Sequence, residues 1–171
     1  KEIHIYTDGS TLNNQQKGSR TGGLGVFFGD NDKRNISYSL KETPKFKVTN
    51  QVAELSACVK AIETIIGSQM IGLKQIIIYT DSMYIVNSMS GWASGWEKNN
   101  WKKATGKVIE NKNLMIKLYY YSKNLNVIFR HVKAHRDPPS KDSEEYIHWY
   151  GNDMADKLAV KAAKKISNKY S

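Results

Sequence analysis

The sequence predicts an α/β fold: a five-stranded mixed sheet flanked by helices. Two apolar β-like runs, Ile3-His4-Ile5-Tyr6 and Ile76-Ile77-Ile78-Tyr79, each end in Thr-Asp. Strand-like and helix-like segments follow the order three strands, helix, strand, helices, strand, helix. That order puts helices on the faces of a sheet that is partly antiparallel and partly parallel. The chain has 171 residues, 40% of them hydrophobic, which suffices for one domain with a real core.

The first strand is read at Glu2–Asp8, followed by a polar loop through Asn13, Asn14, Gly18 and Gly22. A second strand lies near Leu24–Phe28, Asp30-Asn31-Asp32 turns the chain, and Arg34–Leu40 forms a third. These three make an antiparallel hairpin or meander. Thr43–Thr49 reads as a loop. Asn50 then caps a helix to about Ile66, with Leu55, Cys58, Ile62, Ile65 and Ile66 on one face and Gly67 ending it. Gln75–Thr80 is nearly all apolar, as in a central strand covered on both faces. Helical stretches follow around Met83–Met89 and Asn113–Tyr121. Asn126–Val132 alternates as a last strand. From Gly151 to about Ile166 a final amphipathic helix turns Met154, Leu158, Ala159, Ala162 and Ile166 inward. The linker-like run Asp137-Pro138-Pro139-Ser140 to Glu145 falls inside this order, so it is an exposed loop and residues 1–171 read as a single domain.

The net charge is +10, from 26 Lys and Arg against 16 Asp and Glu. Such an excess points to a polyanionic partner, nucleic acid above all, against the plainer alternative of a basic solvated surface. Cys58 is the one cysteine, so a disulfide framework is excluded and a buried core thiol is expected. No apolar run approaches transmembrane length, and the first residues do not read as a charged-then-apolar leader.

Four carboxylates stand out: Asp8, Glu54, Asp81 and Asp156. Each has a plain reading: Asp8 as a turn residue, Asp81 as a helix cap, Glu54 and Asp156 on solvated helix faces. Two of them end strands of one sheet, however, and carboxylates held close need a cation to stay ionised. His4, His131 and His148 read as structural or exposed.

The chain resembles type 1 ribonuclease H, most closely the catalytic domain of the eukaryotic enzymes. The resemblance rests on Tyr6-Thr7-Asp8-Gly9-Ser10, Thr49-Asn50-Gln51-Val52-Ala53-Glu54-Leu55 and Tyr79-Thr80-Asp81-Ser82-Met83. It continues through Trp92, Gly95-Trp96, Trp101-Lys102, Gly106-Lys107, Val132-Lys133-Ala134-His135 and Gly151-Asn152-Asp153-Met154-Ala155-Asp156. It implies a ribonuclease H-like fold and hydrolysis of the RNA strand of RNA–DNA hybrids, leaving 3′-hydroxyl and 5′-phosphate ends. Asp8, Glu54, Asp81 and Asp156 then bind two Mg²⁺ ions, with Mn²⁺ as a possible substitute. Two ions ~4 Å apart serve both ends of an in-line displacement. By the resemblance, Asp8 bridges both ions, Asp156 completes the nucleophile side, and Glu54 with Asp81 the leaving-group side. Asp153 stands where the family has a non-catalytic Glu.

The resemblance makes His135 a proton-transfer or product-release residue. Here the chain departs from the family, because the connection to Asp156 carries extra residues including Pro138-Pro139 and Trp149. Asn50, Gln51 and the loop after Ser10, with Asn13 or Asn14, are implied to read 2′-hydroxyls, and Asn50 can also be a helix cap. Trp92, Trp96 and Trp101, with Lys98, Lys102, Lys103, Lys107, Lys112 and Lys117, fall in the family's basic protrusion that grips the DNA strand. The alternative is a helix–helix seam with solvated lysines. Thr49 and Asn111 match a DNA-phosphate pocket whose Arg is here Lys47, which keeps the charge and loses the bidentate fork. The domain is expected to act as a monomer and away from membranes. Two competing readings are a catalytically dead module of this fold and an integrase- or resolvase-like enzyme.

Overall fold

The computed structural model describes residues 1–12, 16–68 and 72–170. Asn13 and Asn14, expected in the substrate-reading loop, lie outside the described residues, as does the side chain of Ile166. The strands are β1 (Glu2–Thr11), β2 (Thr21–Phe27), β3 (Ile36–Lys41), β4 (Gln75–Thr80) and β5 (Val127–His131). The helices are α1 (Asn50–Gly67), α2 (Met83–Asn87), α3 (Ala93–Lys98), α4 (Lys112–Leu125) and α5 (Tyr146–Tyr170). A π-helical turn, Ser88–Trp92, joins α2 to α3. The sheet order is β3-β2-β1-β4-β5. β1 pairs antiparallel with β2 and parallel with β4, and β4 pairs parallel with β5.

Alternation along the central strands divides the core. Ile5, Leu24, Ile76 and Ile78 face α1, where Leu55, Cys58 and Ile62 are fully buried. Tyr6, Phe27, Ile77 and Tyr79 face the other way, against Ala155 of α5. Cys58 is the expected core thiol, its Sγ 3.5 Å from Thr7 Oγ1.

α5 sits directly on the sheet because glycines admit it. A Cβ at Gly23 would lie 2.3 Å from Ala159 O, and one at Gly25 would lie 2.1 Å from Ala155 O. Opposite them α5 presents Ala155, Ala159, Ala162 and Ala163, all buried. Gly22 and Gly23 therefore belong to β2 and not to the preceding loop, because close backbone approach favours glycine within a strand. The last helix likewise starts at Tyr146, not Gly151. Gly151 is a helical residue pressed on Tyr6, where a Cβ would lie 2.4 Å from the ring. Trp149 is thus in α5 and outside the extended loop. Met154 and Leu158 are only partly buried, flanking the alanine stripe.

Three further expectations are corrected. Thr49, not Asn50, is the N-cap of α1, its side chain accepting from Val52 N. Ile66 is 46% exposed, because the buried stripe of α1 ends at Ile65. Lys117 turns away from the basic segment to pair with Glu63 of α1 at 3.0 Å.

The buried carboxylate of Glu42 holds the entrance to α1. It accepts from the backbone N–H groups of Gly18, Arg20 and Val48 and pairs with Arg20 at 2.8 Å. Hydrogen bonds from Arg20 and these amides lower its pKa from 4.5 to about 2. A depressed carboxylate adds stability above its unfolded pKa and loses it as pH falls through the folded one. Glu42→Gln should therefore lower Tm at pH 7, with the gap to wild type closing between pH 4.5 and 2. A gap independent of pH would mean the charge is idle. Gly25→Ala should destabilise the protein by about 1–3 kcal/mol in urea unfolding, through the clash with α5; unchanged stability would contradict the described contact.

Candidate active site

The register of β1 and β4 sets two carboxylates side by side. Their last pair is Tyr6 with Tyr79, and two residues further along each strand stand Asp8 and Asp81. The threonines before them have local work. Thr7 Oγ1 donates to Tyr79 O across the strands at 3.4 Å. Thr80 Oγ1 accepts from Ser82 N at 3.1 Å, turning the chain just past Asp81. Ser82 caps α2 by accepting from Ile85 N, so Asp81 is not the cap.

Glu54 arrives from α1, which approaches β1 at Gly9. A Cβ there would lie 2.5 Å from Ala53 C and from Glu54 N. Gly9 N–H donates to Asp8 Oδ1 at 2.9 Å. Oxygens of Asp8, Glu54 and Asp81 lie within 4.8 Å of one another, close enough for one cation to touch all three. Asp156 and His135 line the same cavity of about 440 Å³, with Ser10, Thr11 and Asn50. His135 is exposed and sits in the left-handed region at φ 50°. Asp153 points elsewhere, paired with Lys157 at 2.8 Å.

The electrostatics of the site ask for a cation. Burial and the neighbouring Glu54, Asp81 and Asp156 push the Asp8 carboxyl far above its ordinary range. Burial and Asp81 raise Glu54. Burial raises Asp81 too, against the opposing pull of His135 and His131. Among the described residues Glu54 Oε2, which is buried, has no hydrogen-bond partner. A hard divalent ion fits this donor set, because it accepts clustered carboxylate oxygens and neutralises them.

Around the site, Asn50 Oδ1 accepts from Thr11 Oγ1, and Asn111 Nδ2 donates to Gln51 Oε1 at 3.3 Å. Lys47 and Asn111 line a separate cavity of about 430 Å³ with Lys45 and Lys112. Thr49 does not line it; its hydroxyl accepts from Val52 N at the α1 cap. Lys45 was not anticipated from sequence, although it lies two residues from the predicted contact Lys47, and Lys112, expected in the basic protrusion, lines this cavity instead. Trp92 is 49% exposed and Trp96 half-buried, in one surface cluster with Tyr84. Trp101 instead joins the core against Tyr119. Lys98, Lys102, Lys103 and Lys107 are exposed, and Lys103 is 3.9 Å from Glu110.

Residues 1–164 match the sequence profile of RNase H. The chain belongs to the RNase H family. Its RNase H relatives include human Ribonuclease H1, 32% identical over 163 residues covering 95% of this chain and 50% of that protein. Ribonuclease H of Clostridium botulinum is 34% identical over 167 residues, covering 95% of each. Among solved structures, LC9-RNase H1, described as a type 1 RNase H with the type 2 active-site motif, superposes with a TM-score of 0.70 at 27% identity. That match covers 96% of this chain and 72% of the other. The chain spans about half the length of its human and rodent relatives. The five-stranded mixed sheet is that of the RNase H fold.

Raised carboxyls bind protons more tightly in the folded protein, so they stabilise below their unfolded pKa and cost stability as pH rises. In EDTA, Asp8→Asn should therefore be more stable than wild type, with the gap widening from pH 5 to pH 8. Saturating Mg²⁺ should raise the wild-type Tm, by ~2.7 kcal/mol of stability at a hundredfold excess over Kd. Calorimetry checks both; an equal Mg²⁺ effect on Asp8→Asn would remove Asp8 from the metal site.

Proposed function

We propose that this chain is an endonuclease hydrolysing the RNA strand of RNA–DNA hybrids, with residues 1–171 as one catalytic domain acting as a monomer. The observation that carries the reading is the convergence of Asp8, Glu54 and Asp81 within 4.8 Å in an RNase H-family chain. Asp156, on the wall of the same cavity, completes the set. Four carboxylates in place speak against a catalytically dead module. The family match speaks against an integrase or resolvase.

In this reading Asp8, Glu54, Asp81 and Asp156 hold two Mg²⁺ ions, with Mn²⁺ as a substitute. Bound there, the metal supplies charge neutralisation at the phosphodiester and a more acidic water. The protein's residues do the rest. Asp8, fixed by Gly9 N–H, sets the centre of the site. His135, exposed at the cavity mouth, moves a proton at an imidazole nitrogen to or from the reacting oxygens. Asn50 and Gln51 read 2′-hydroxyls on the RNA strand from the first turn of α1. Lys47 and Asn111 hold a phosphate of the DNA strand, while Thr49 caps the neighbouring α1. Trp92, Trp96, Lys102 and Lys103 grip that strand further on without reading bases. Products carry 3′-hydroxyl and 5′-phosphate ends.

Duplexes with one, two or four ribonucleotides embedded in DNA test the reading. Cleavage is expected on the RNA-containing strand in Mg²⁺, only with more than one consecutive ribonucleotide, and not in EDTA. Asp81→Asn should lose turnover while keeping hybrid binding. Equal cutting of an all-DNA duplex would sink the proposal.

A further inference from the structure

A second basic cavity adjoins the carboxylate site. It measures about 430 Å³, within the ~300–1,000 Å³ typical of small-molecule sites. It lies where β4 and β5 meet the first turns of α5, with Tyr79, Arg130, Lys133, Arg136, Glu145 and Trp149 on its walls. Three of these, Arg130, Lys133 and Arg136, are basic. Among the described residues Glu145 is the one acid lining it, and it is taken by Arg136 at 2.9 Å. Among the described residues no carboxylate pairs with Arg130 or Lys133. Cations facing one concavity repel each other, and an anion between them relieves that cost.

The aromatic wall is fixed. Trp149 Nε1–H donates to Arg136 O at 2.9 Å, tying the indole to the loop that carries two of the cations. A guanidinium recognises phosphate, and an indole offers a flat face to a base. The connection from β5 to α5 serves both cavities: His135 lines the carboxylate site, while Lys133 and Arg136 line this one. On α5, Trp149, Asn152 and Asp156 follow at helical spacing along one face. Asn152 Oδ1, on that face, is buried with no hydrogen-bond partner among the described residues.

We propose that this cavity binds a nucleotide, its phosphate against Arg130, Lys133 and Arg136 and its base toward Trp149. The nucleotide is either free or a unit of a strand that also passes the carboxylates. The binding does not depend on the ribonuclease reading.

The test uses the whole chain in EDTA, so that no metal draws phosphate to the carboxylates. Adenosine 5′-monophosphate is titrated while NMR follows the Trp149 indole N–H and the Lys133 and Arg136 amides. Saturable shifts are expected at all three. Arg130→Gln with Lys133→Gln should weaken binding about tenfold or more. Both side chains are exposed, so the fold should persist, which the amide spectrum itself reports. Lys47→Gln, in the other basic cavity, should leave these shifts unchanged. A short RNA–DNA hybrid that displaces the monophosphate assigns the site to a strand phosphate. Hybrid and monophosphate bound together assign it to a free nucleotide. No shift at millimolar monophosphate, or shifts that survive the double substitution, would overturn the proposal. Hybrid cleavage in Mg²⁺ is read separately, so failure of one reading leaves the other standing.

Discussion

At Gly9 the backbone of α1 touches the backbone of β1, with no room for a methyl group between them. That contact fixes the level at which Glu54 reaches the sheet. The same kind of contact at Gly23 and Gly25 seats α5 on β2, and Asp156 rides on α5 immediately after the touching residue Ala155. The carboxylates are thus gathered by packing and not by any attraction of their own. Their mutual repulsion opposes folding, and the core must outweigh it. Ile5, Leu55, Ile62 and Ile78 are all fully buried, each contributing about 1.5–3 kcal/mol. Aliphatic burial directly beneath the site is what allows an electrostatically unfavourable cluster to exist.

Charge is arranged in two zones. The chain carries +10 overall, yet its centre is a knot of acids. Basic residues flank it: Lys45, Lys47 and Lys112 around one cavity, Arg130, Lys133 and Arg136 around another, and Lys98 to Lys107 from the end of α3 onward. The field of such a rim reaches about 8–10 Å in physiological salt and would draw a polyanion, the partner proposed above. The acidic centre repels the same polyanion until a cation intervenes. Attraction and chemistry are thereby separated in space.

Much of this was legible in the residues. A two-residue alternation and a nearly all-apolar fourth strand are direct signs of a layered sheet, and the repeated Thr-Asp announced two carboxylates at equivalent heights. What escaped were effects of tertiary contact. Gly22, Gly23 and Gly151 read as loop or helix boundary because glycine is flexible in isolation; each is in fact a site of close approach. Thr49 and Asn50 are both good caps, and local preference does not choose between them. The π turn at Ser88–Trp92 carries no local signature; Trp92 falls in one cluster with Tyr84 and Trp96, while Trp101, past the end of α3 at a left-handed φ of 61°, joins the core. The roles of Thr7 and Thr80 depend on a strand 72 positions away and on a turn two residues ahead.

The cavity's walls come from opposite ends of the chain. Asp8 lies in the first strand and Asp156 in the last helix, 148 positions apart (156 − 8). A ribosome therefore releases the first acid long before the fourth. Until α5 has emerged and docked on Gly23 and Gly25, the sheet has one uncovered face and the acidic cluster one missing wall. Closing so long a loop is the late, slow part of folding. The order of synthesis thus delays completion of the cavity until the whole fold has closed.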